Sequence, residues 1–303
     1  MAKTIRIGTR DSELALWQAH TVQKQLESLG YTTSLVPVKS TGDIVLDKPL
    51  YELGITGIFT KTLDTAMINN DIDIAVHSMK DVPTALPSGI VEGAILERAN
   101  VCDILLHKGT GFLEGSGTIA TGSLRRQAQW LHKYPNHKVV DLRGNVNTRM
   151  QKLHDSDWNG AIFAAAGLER INLMPQDYIN LDWMIPAPAQ GAMLVVAKEK
   201  DSYCQEALSN LNHKDTEICV HIEREFLREL EGGCTAPIGA LATIKDNQID
   251  FTGVLFSIDG KTKIEVARTI KAVNKKDFGR MCAQEVLTNG GIELMKQIKK
   301  ELK

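Results

Sequence analysis

Residues 4–30 read TIRIGTRDSELALWQAHTVQKQLESLG, and their pattern indicates the fold class. The first six residues have the composition of a short strand, and Ser12 is a suitable cap for a helix that follows. Small and apolar residues recur at helical spacing from Ala15 to Leu29, and Gly30 supplies the stop. A short strand followed at once by a long helix predicts the first half of a βαβ unit.

The same alternation continues through the first two thirds of the chain. Strands are predicted at 34–38 and 72–76, on either side of a helix over 59–67. The pattern restarts after residue 100, and the strands then predicted are 119–121, 139–140 and 161–166. Strands separated by helices indicate crossover connections, so we expect mostly parallel sheets.

The last third has a different pattern. A helix lined by Ile218 to Leu230 stops at Gly232 and Gly233, and hairpin turns are predicted at Asp246-Asn247 and Asp259-Gly260. A terminal helix follows from Asp277. This order indicates a small α+β domain. The proline-rich stretch IPAPAQGAMLVVA, residues 185–197, is predicted to cross between domains and to end in a buried strand.

Composition excludes several classes of protein. The 303 residues include 35 Lys and Arg against 37 Asp and Glu, so the net charge of −2 argues against a general nucleic-acid binder. The N-terminus lacks the apolar core of a secretory signal, and no apolar run approaches the ~18 residues of a membrane helix. The five cysteines are scattered without a C-x-x-C pair, so neither disulfides nor a metal site is expected. We therefore predict a cytoplasmic protein with no membrane partner.

Arginines follow the predicted strands at the point where each strand ends. Loops beyond the carboxyl ends of strands line the ligand crevice of open α/β sheets, and helix N-termini there favour anions. The planar guanidinium suits carboxylate or phosphate. Any one of these arginines could be a solvated surface residue, but six at equivalent places predict an anionic ligand. They are Arg10, Arg125, Arg126, Arg143, Arg149 and Arg170.

Two further groups are candidates for chemistry. Ser78, Lys80 and Asp81 come where the strand 72–76 ends, and a carboxylate beside a lysine can move protons or stabilise a developing cation. Taken alone, a pair such as Lys80-Asp81 is more often an ion pair in a turn than a catalytic group. Cys234 lies in the glycine-flanked loop EGGCTAPIG, where a flexible segment could present a thiolate to a ligand.

Eight blocks, in order along essentially the whole chain, resemble one known family. They are IGTRDSELALWQAH (7–20), GIFTKTLDTAM (57–67), DIAVHSMKDVP (73–83), TGSLRRQAQ (121–129), DLRGNVNTR (141–149), AAGLERI (165–171), PAPAQGA (186–192) and EGGCTAPIG (231–239). The family is that of the hydroxymethylbilane synthases, also called porphobilinogen deaminases, transferases of tetrapyrrole (haem and porphyrin) biosynthesis.

The resemblance implies an α/β fold of two lobes like those of periplasmic binding proteins, joined by hinge segments, plus a small C-terminal α+β domain. The limits expected are 1–97 with 190–212 for the first lobe, 98–189 for the second and 213–303 for the domain with the cofactor cysteine. The implied activity is the stepwise, deaminating addition of four porphobilinogen molecules to a covalently attached dipyrromethane, followed by hydrolytic release of 1-hydroxymethylbilane. A monomer is expected.

The resemblance also implies roles for particular residues. Cys234 corresponds to the cysteine that holds the dipyrromethane cofactor by a thioether, and Asp81 to the catalytic aspartate. The other cofactor-binding positions implied are Ser78, Lys80, Thr121, Ser123, Arg125, Arg126, Arg143, Gly144 and Asn145. The substrate-binding positions implied are Arg10, Ser12, Phe59, Arg149, Arg170 and Gln190.

The chain departs from the family's usual pattern at two places. Thr56 stands where the family commonly has a lysine in a loop over the site. Leu194-Val195-Val196 replaces a common G-x-E, so a glutamate contact is absent there. Neither change touches Asp81, Cys234 or the arginines, and activity is expected to be retained.

Two other functions agree with part of the pattern. A non-catalytic solute-binding protein for a small anion would explain two lobes and the arginines, but not a third domain with a loop cysteine. The effector-binding part of a transcription regulator would need a helix-turn-helix, for which we expect no room before the first strand. A gain of mass at Cys234 would distinguish the synthase from both of these alternatives.

Overall fold

A computed structural model describes residues 3–38, 60–231 and 236–302. Thr56, Phe59 and Cys234 lie outside the described residues. The described part of the chain forms two compact units. The first unit contains residues 3–38, 60–99 and 191–217, and the second contains residues 100–190, 218–231 and 236–302. Within these ranges no helix combines the length and apolarity required to cross a membrane.

The described strands are numbered in chain order. They are β1 (Ile5–Thr9), β2 (Thr33–Pro37), β3 (Ile74–Ser78), β4 (Ile90–Ile95), β5 (Asp103–His107), β6 (Thr118–Ala120), β7 (Lys138–Val140), β8 (Gly160–Ala164), β9 (Ile179–Asn180), β10 (Met193–Lys198), β11 (Ile238–Lys245), β12 (Gln248–Phe256) and β13 (Lys263–Lys271). The α-helices described are Glu13–Ser28, Lys61–Ile68, Leu124–Lys133, Val146–Asp155, Ala165–Arg170, Ser202–Ser209, Lys214–Glu229, Phe278–Val286 and Ile292–Glu301.

The first unit is built on a five-stranded sheet in the order β2-β1-β3-β10-β4. β1 is parallel to β2 and β3, whereas β10 is antiparallel to both β3 and β4. The helix Glu13–Ser28 connects β1 to β2, as its spacing predicts. Its buried residues Ala19, Val22 and Leu26 pack with Ile5 and Ile7 in the core of this unit.

The second unit contains a five-stranded sheet on the same plan, in the order β7-β6-β8-β5-β9. β6 is parallel to β7 and β8, and β5 is antiparallel to β8 and β9. Four of the five strands in each of these sheets run in the same direction, as expected of mostly parallel sheets, and β10 and β5 are the strands that run in the reverse direction. The strand predicted at 161–166 ends at Ala164, since Ala165 and Ala166 begin a helix.

A three-stranded antiparallel sheet, β11-β12-β13, completes the second unit. Asp246 and Asn247 have φ of +49° and +59°, as a two-residue hairpin turn between β11 and β12 requires. Phe251 makes edge-to-face contacts with Phe226 at 5.2 Å and with Phe278 at 5.9 Å between ring centroids. The α/β fold class with two sheet-containing lobes and a small C-terminal α+β part is confirmed. The domain limits given above stay predictions.

Candidate active site

In the first unit, five of the predicted site residues lie at one edge of the sheet. β1 and β3 are parallel neighbours, so their carboxyl ends point to the same edge. Arg10 and Ser12 follow β1, and Ser78 ends β3. Lys80 and Asp81 belong to the short 3-10 helix Met79–Asp81 that begins immediately after it, and both are partly exposed.

Hydrogen bonds fix this edge to the rest of the first unit. Buried Gln18, on the helix Glu13–Ser28, donates from Nε2 to Oγ of Ser78 at 2.9 Å. The backbone N–H of Met79 donates to the carbonyl of Ala192 at 3.0 Å. Ser12 occupies the N-cap position of the same helix, but its side chain makes no cap hydrogen bond. The segment that carries the catalytic-residue candidate Asp81 is thus bonded both to a helix, through the side chain of Ser78, and to the residue that precedes β10, through the backbone of Met79.

His77 is a buried histidine one residue before Ser78. Burial, together with the smaller effect of the positive charge of Arg10, lowers the pKa of His77 to about 4. The imidazole is therefore neutral at neutral pH.

In the second unit, the predicted residues follow three neighbouring parallel strands. Thr121 and Ser123 follow β6, Arg143 follows β7, and Arg170 ends the helix that follows β8. The loops after β6 and β7 are in close contact: a Cβ at Gly122 would lie 2.7 Å from the carbonyl oxygen of Leu142. Only glycine permits this approach.

Arg125 and Arg126, next in this loop and helix, are buried against one carboxylate. Nη1 of Arg125 donates to Oδ2 of Asp103 at 2.7 Å, and Nη2 of Arg126 donates to Oδ1 at 2.7 Å. Gln190 is fully buried and donates to the same Oδ1 at 3.0 Å and to the carbonyl of Val101 at 2.7 Å. Three of the predicted residues, Arg125, Arg126 and Gln190, thus donate hydrogen bonds to Asp103.

The loop after β7 is organised by its own hydrogen bonds. Asn145 caps the helix Val146–Asp155, and its Oδ1 accepts from the backbone N–H and the hydroxyl of Thr148, each at 2.9 Å. Gly144 has φ of +115°, a conformation that favours glycine, and its carbonyl accepts from Nε of Arg149 at 2.7 Å. Arg143 is buried beside it, with 4% of its surface exposed.

Burial acts on the charges of these arginines. It lowers the pKa of Arg125, Arg143 and Arg170, against the opposing effects of Asp103, Asp141 and Glu169 respectively. A lowered arginine pKa means that the cost of removing water from the cation is larger than the stabilisation supplied by the neighbouring acidic groups. Such cations favour an anionic ligand.

Three of the four described cysteines are buried, and Cys102 is partly exposed. Burial raises the pKa of Cys102, raises that of Cys204 to about 12 and that of Cys282 to about 11. These three thiols are therefore protonated at neutral pH and poorly suited to bond formation.

Asp103, Gln18 and His77 were not predicted from the sequence as site residues. Asp103 precedes the apolar run ILL, and a charge at the start of a buried strand does signal a partner. The partners are 22 and 23 residues away, and spacing alone does not identify them. Gln18 and His77 give no distinct signal, because each is a single polar residue among apolar ones and spacing does not identify its partner.

Two family models match the chain. "Porphobilinogen deaminase, dipyromethane cofactor binding domain" matches residues 5–206, and "Porphobilinogen deaminase, C-terminal domain" matches residues 217–288. Among solved structures, the chain is similar to immunogenic lipoprotein A from Vibrio vulnificus, with 12% identity, a TM-score of 0.43 and coverage of 70% of this chain and 96% of that one.

Curated relatives align over most or all of the chain. The porphobilinogen deaminase of Desulfitobacterium hafniense is 41% identical over 306 residues, covering 99% of each chain. The chloroplastic porphobilinogen deaminase of Oryza sativa is 44% identical over 277 residues, covering 88% of this chain and 77% of the relative. Together with the family models, these full-length similarities show that the chain belongs to the porphobilinogen deaminase family.

Proposed function

We propose that this chain is a hydroxymethylbilane synthase. It joins four porphobilinogen molecules in turn to an attached dipyrromethane, releasing one ammonia at each step, and then hydrolyses the product free as 1-hydroxymethylbilane. The observation that carries the proposal is the match of residues 5–206 to the cofactor-binding domain of the family. The arginines at the strand ends of both sheets support it, because each pyrrole unit brings an acetate and a propionate.

The described residues fit a cofactor with several carboxylates. Arg125, Arg126 and Arg143 are buried cations, and the Nε of Arg125 is buried without a hydrogen-bond partner among the described residues. Buried donors of this kind require an acceptor, and a carboxylate is the acceptor that also offsets the charge. The residues that would hold the dipyrromethane are Ser78, Lys80, Asp81, Thr121, Ser123, Arg125, Arg126, Arg143, Gly144 and Asn145, with Cys234 as its thioether anchor.

The dipyrromethane, when bound, supplies the pyrrole α-carbon to which the first substrate is joined. Arg10, Ser12, Arg149, Arg170, Gln190 and Phe59 are proposed to bind and orient the incoming porphobilinogen. Guanidinium groups pair with its two carboxylates, which fixes the ring and holds the reacting carbon in place.

Asp81 is proposed to act on the substrate's charge and protons. Loss of ammonia from porphobilinogen leaves a positive charge delocalised over the pyrrole ring, and a nearby carboxylate stabilises it. After the new carbon–carbon bond forms, a proton must leave the pyrrole α-carbon, and Asp81 can accept or relay it. The 3-10 helix that carries Asp81 is anchored through Met79, which keeps the carboxylate in position.

We also propose that the protein acts in the cytoplasm as a monomer, without a nucleic-acid or membrane partner. The near equality of 35 basic and 37 acidic residues supports the exclusion of nucleic acid. Light scattering coupled to size exclusion tests the monomer directly: a mass of 33.4 kDa is expected, and twice that mass would contradict it.

Product stoichiometry tests the activity. Purified protein incubated with porphobilinogen should release four ammonia molecules for each 1-hydroxymethylbilane detected by mass spectrometry. Cys234→Ala is the matched variant and should form no product. Binding of porphobilinogen without release of ammonia would instead support the solute-binding alternative.

A further inference from the structure

Asp103, the first residue of β5, is completely buried and contacts three of the proposed ligand-binding side chains. Its Oδ2 accepts from Nη1 of Arg125 at 2.7 Å. Its Oδ1 accepts from Nη2 of Arg126 at 2.7 Å, from Nε of Arg126 at 3.0 Å and from Nε2 of Gln190 at 3.0 Å. One carboxylate therefore fixes the relative positions of three side chains that arrive from two distant parts of the sequence.

The charges of this group do not cancel. Two guanidinium groups and one carboxylate leave a net charge of +1 in a place where Arg125 is 4% exposed and Arg126 is 6% exposed. Adjacent buried cations repel strongly unless a carboxylate lies between them. Asp103 offsets one charge and leaves the other for a ligand, which suits a carboxylate of the same magnitude.

The hydrogen bonds also set the direction of the remaining donors. Nη1 of Arg125 is held between Asp103 and the carbonyl of Ile185, the latter at 2.8 Å. The guanidinium is planar, so fixing Nη1 restricts where Nε points. That Nε is buried and has no hydrogen-bond partner within the described ranges. Arg126 is restrained in the same way, because its Nη1 donates to the carbonyl of Ile162 at 3.0 Å.

We propose that Asp103 is a positioning residue that holds Arg125 and Arg126 in the orientation in which they bind the carboxylates of the attached dipyrromethane. Asp103 acts through the arginines and does not itself contact the ligand. The inference rests on the proposed function and identifies how its cofactor site is held together.

The test measures how fast the full-length apoprotein gains its cofactor. Protein made in a host that cannot produce porphobilinogen is incubated with porphobilinogen, and intact mass spectrometry follows the gain of two pyrrole units. Asp103→Asn keeps the side-chain shape but removes the charge and one acceptor oxygen. We expect this variant to gain the cofactor at least about tenfold more slowly than the wild type, because the arginines are no longer aligned.

Asp73→Asn is the matched control. Asp73 is also buried and accepts from Arg6, through the backbone N–H at 2.9 Å and through Nε and Nη2, each at 3.0 Å. It directly precedes β3, at the opposite end of that strand from Ser78. This control should lose stability but gain the cofactor at the wild-type rate. Equal slowing of both variants would overturn the positioning role, because lost stability alone would explain it.

A second variant decides the matter if Asp103→Asn does not fold. Asp103→Glu keeps the charge on which burial of the arginines depends, but it moves the carboxylate by one methylene group. We expect a folded protein that gains the cofactor several-fold more slowly than the wild type. A wild-type rate in this variant would overturn the positioning role, whereas a wild-type protein that gains no mass at all would refute the proposed function itself.

Discussion

Asp81 combines partial exposure with a firmly held backbone. The 3-10 helix Met79–Asp81 is bonded through Met79 to Ala192, and Ser78 before it accepts from Gln18. A carboxylate on such a support can face a substrate without losing its position when the substrate changes. This is the geometry expected of a group that stabilises a charge appearing only during reaction.

Asp81→Asn should therefore lower kcat by at least about 100-fold while leaving the fold intact. The amide keeps the shape of the side chain but neither stabilises a cation nor accepts the proton. Steady-state release of ammonia and circular dichroism provide the two measurements. Asp71→Asn, at an exposed carboxylate of the same unit, is the control and should retain activity. An active Asp81→Asn enzyme would remove Asp81 from its proposed role.

Among the secondary-structure elements, β3 carries a buried histidine, His77, and the folded protein is stable with this side chain in its neutral form. The pKa of His77 is about 4 in the folded protein, below the ordinary value of 6.5. Between these values the unfolded chain binds a proton that the folded chain does not. The stability contributed by neutral His77 is therefore complete above pH 6.5 and is lost as the pH falls towards 4.

Between pH 7.5 and pH 5.0, this linkage should remove about 2 kcal/mol from the free energy of unfolding of the first unit. His77→Gln should abolish that part of the pH dependence, whereas His20→Gln, at an exposed position of the same unit, should not. Hydrogen exchange of β3 peptides in urea measures the free energy. Identical pH slopes in the wild type and His77→Gln would contradict the assignment.

The proline-rich segment before β10 is attached to the second unit along its length. The backbone N–H of Ala240 donates to the carbonyl of Pro186 at 3.0 Å. Fully buried Glu223 accepts from the backbone N–H groups of Ala189 and Ala242, each at 2.7 Å. Ala189 has φ of +63°, so these bonds hold a backbone conformation that alanine rarely adopts.

Glu223→Met should accordingly destabilise the second unit by about 3 kcal/mol, because it leaves two buried N–H groups without their charged acceptor. Glu229→Gln changes a partly exposed carboxylate on the same helix and should cost less than about 1 kcal/mol. Urea unfolding of the two variants measures the difference. Equal losses would show that Glu223 does not hold the segment.

For the molecule as a whole, much of the candidate site is predicted from the sequence by one rule, that ligand-binding residues follow the carboxyl ends of strands. Arg10, Thr121 and Arg143 each follow a strand that periodicity identifies, and parallel neighbours bring such positions to one edge of a sheet. β5 was not predicted as a strand, and the direction of β10 could not be predicted, because a short apolar run carries no information on orientation. The reversed direction of β5 also explains why Asp103 was missed: it starts its strand, where the rule for carboxyl ends does not apply.

Movement between the two compact units is expected during elongation, since the product grows by one pyrrole unit at each step. Within the described residues the chain passes between the units after Ala99, after Gln190 and after Glu217, and Gly191 has φ of +85°. A lysine-reactive crosslinker should stall molecules linked between units before the fourth addition, as seen in the masses of enzyme-bound intermediates. Molecules linked only within one unit are the control. Complete elongation in the inter-unit population would refute the movement.

The intact mass of the protein purified from cells that make porphobilinogen tests whether a dipyrromethane is attached at Cys234. We expect the mass of the sequence plus two pyrrole units for the wild type, and the bare mass of the sequence for Cys234→Ala. A wild-type protein of bare sequence mass, or an unchanged excess in Cys234→Ala, would contradict a dipyrromethane anchored at Cys234.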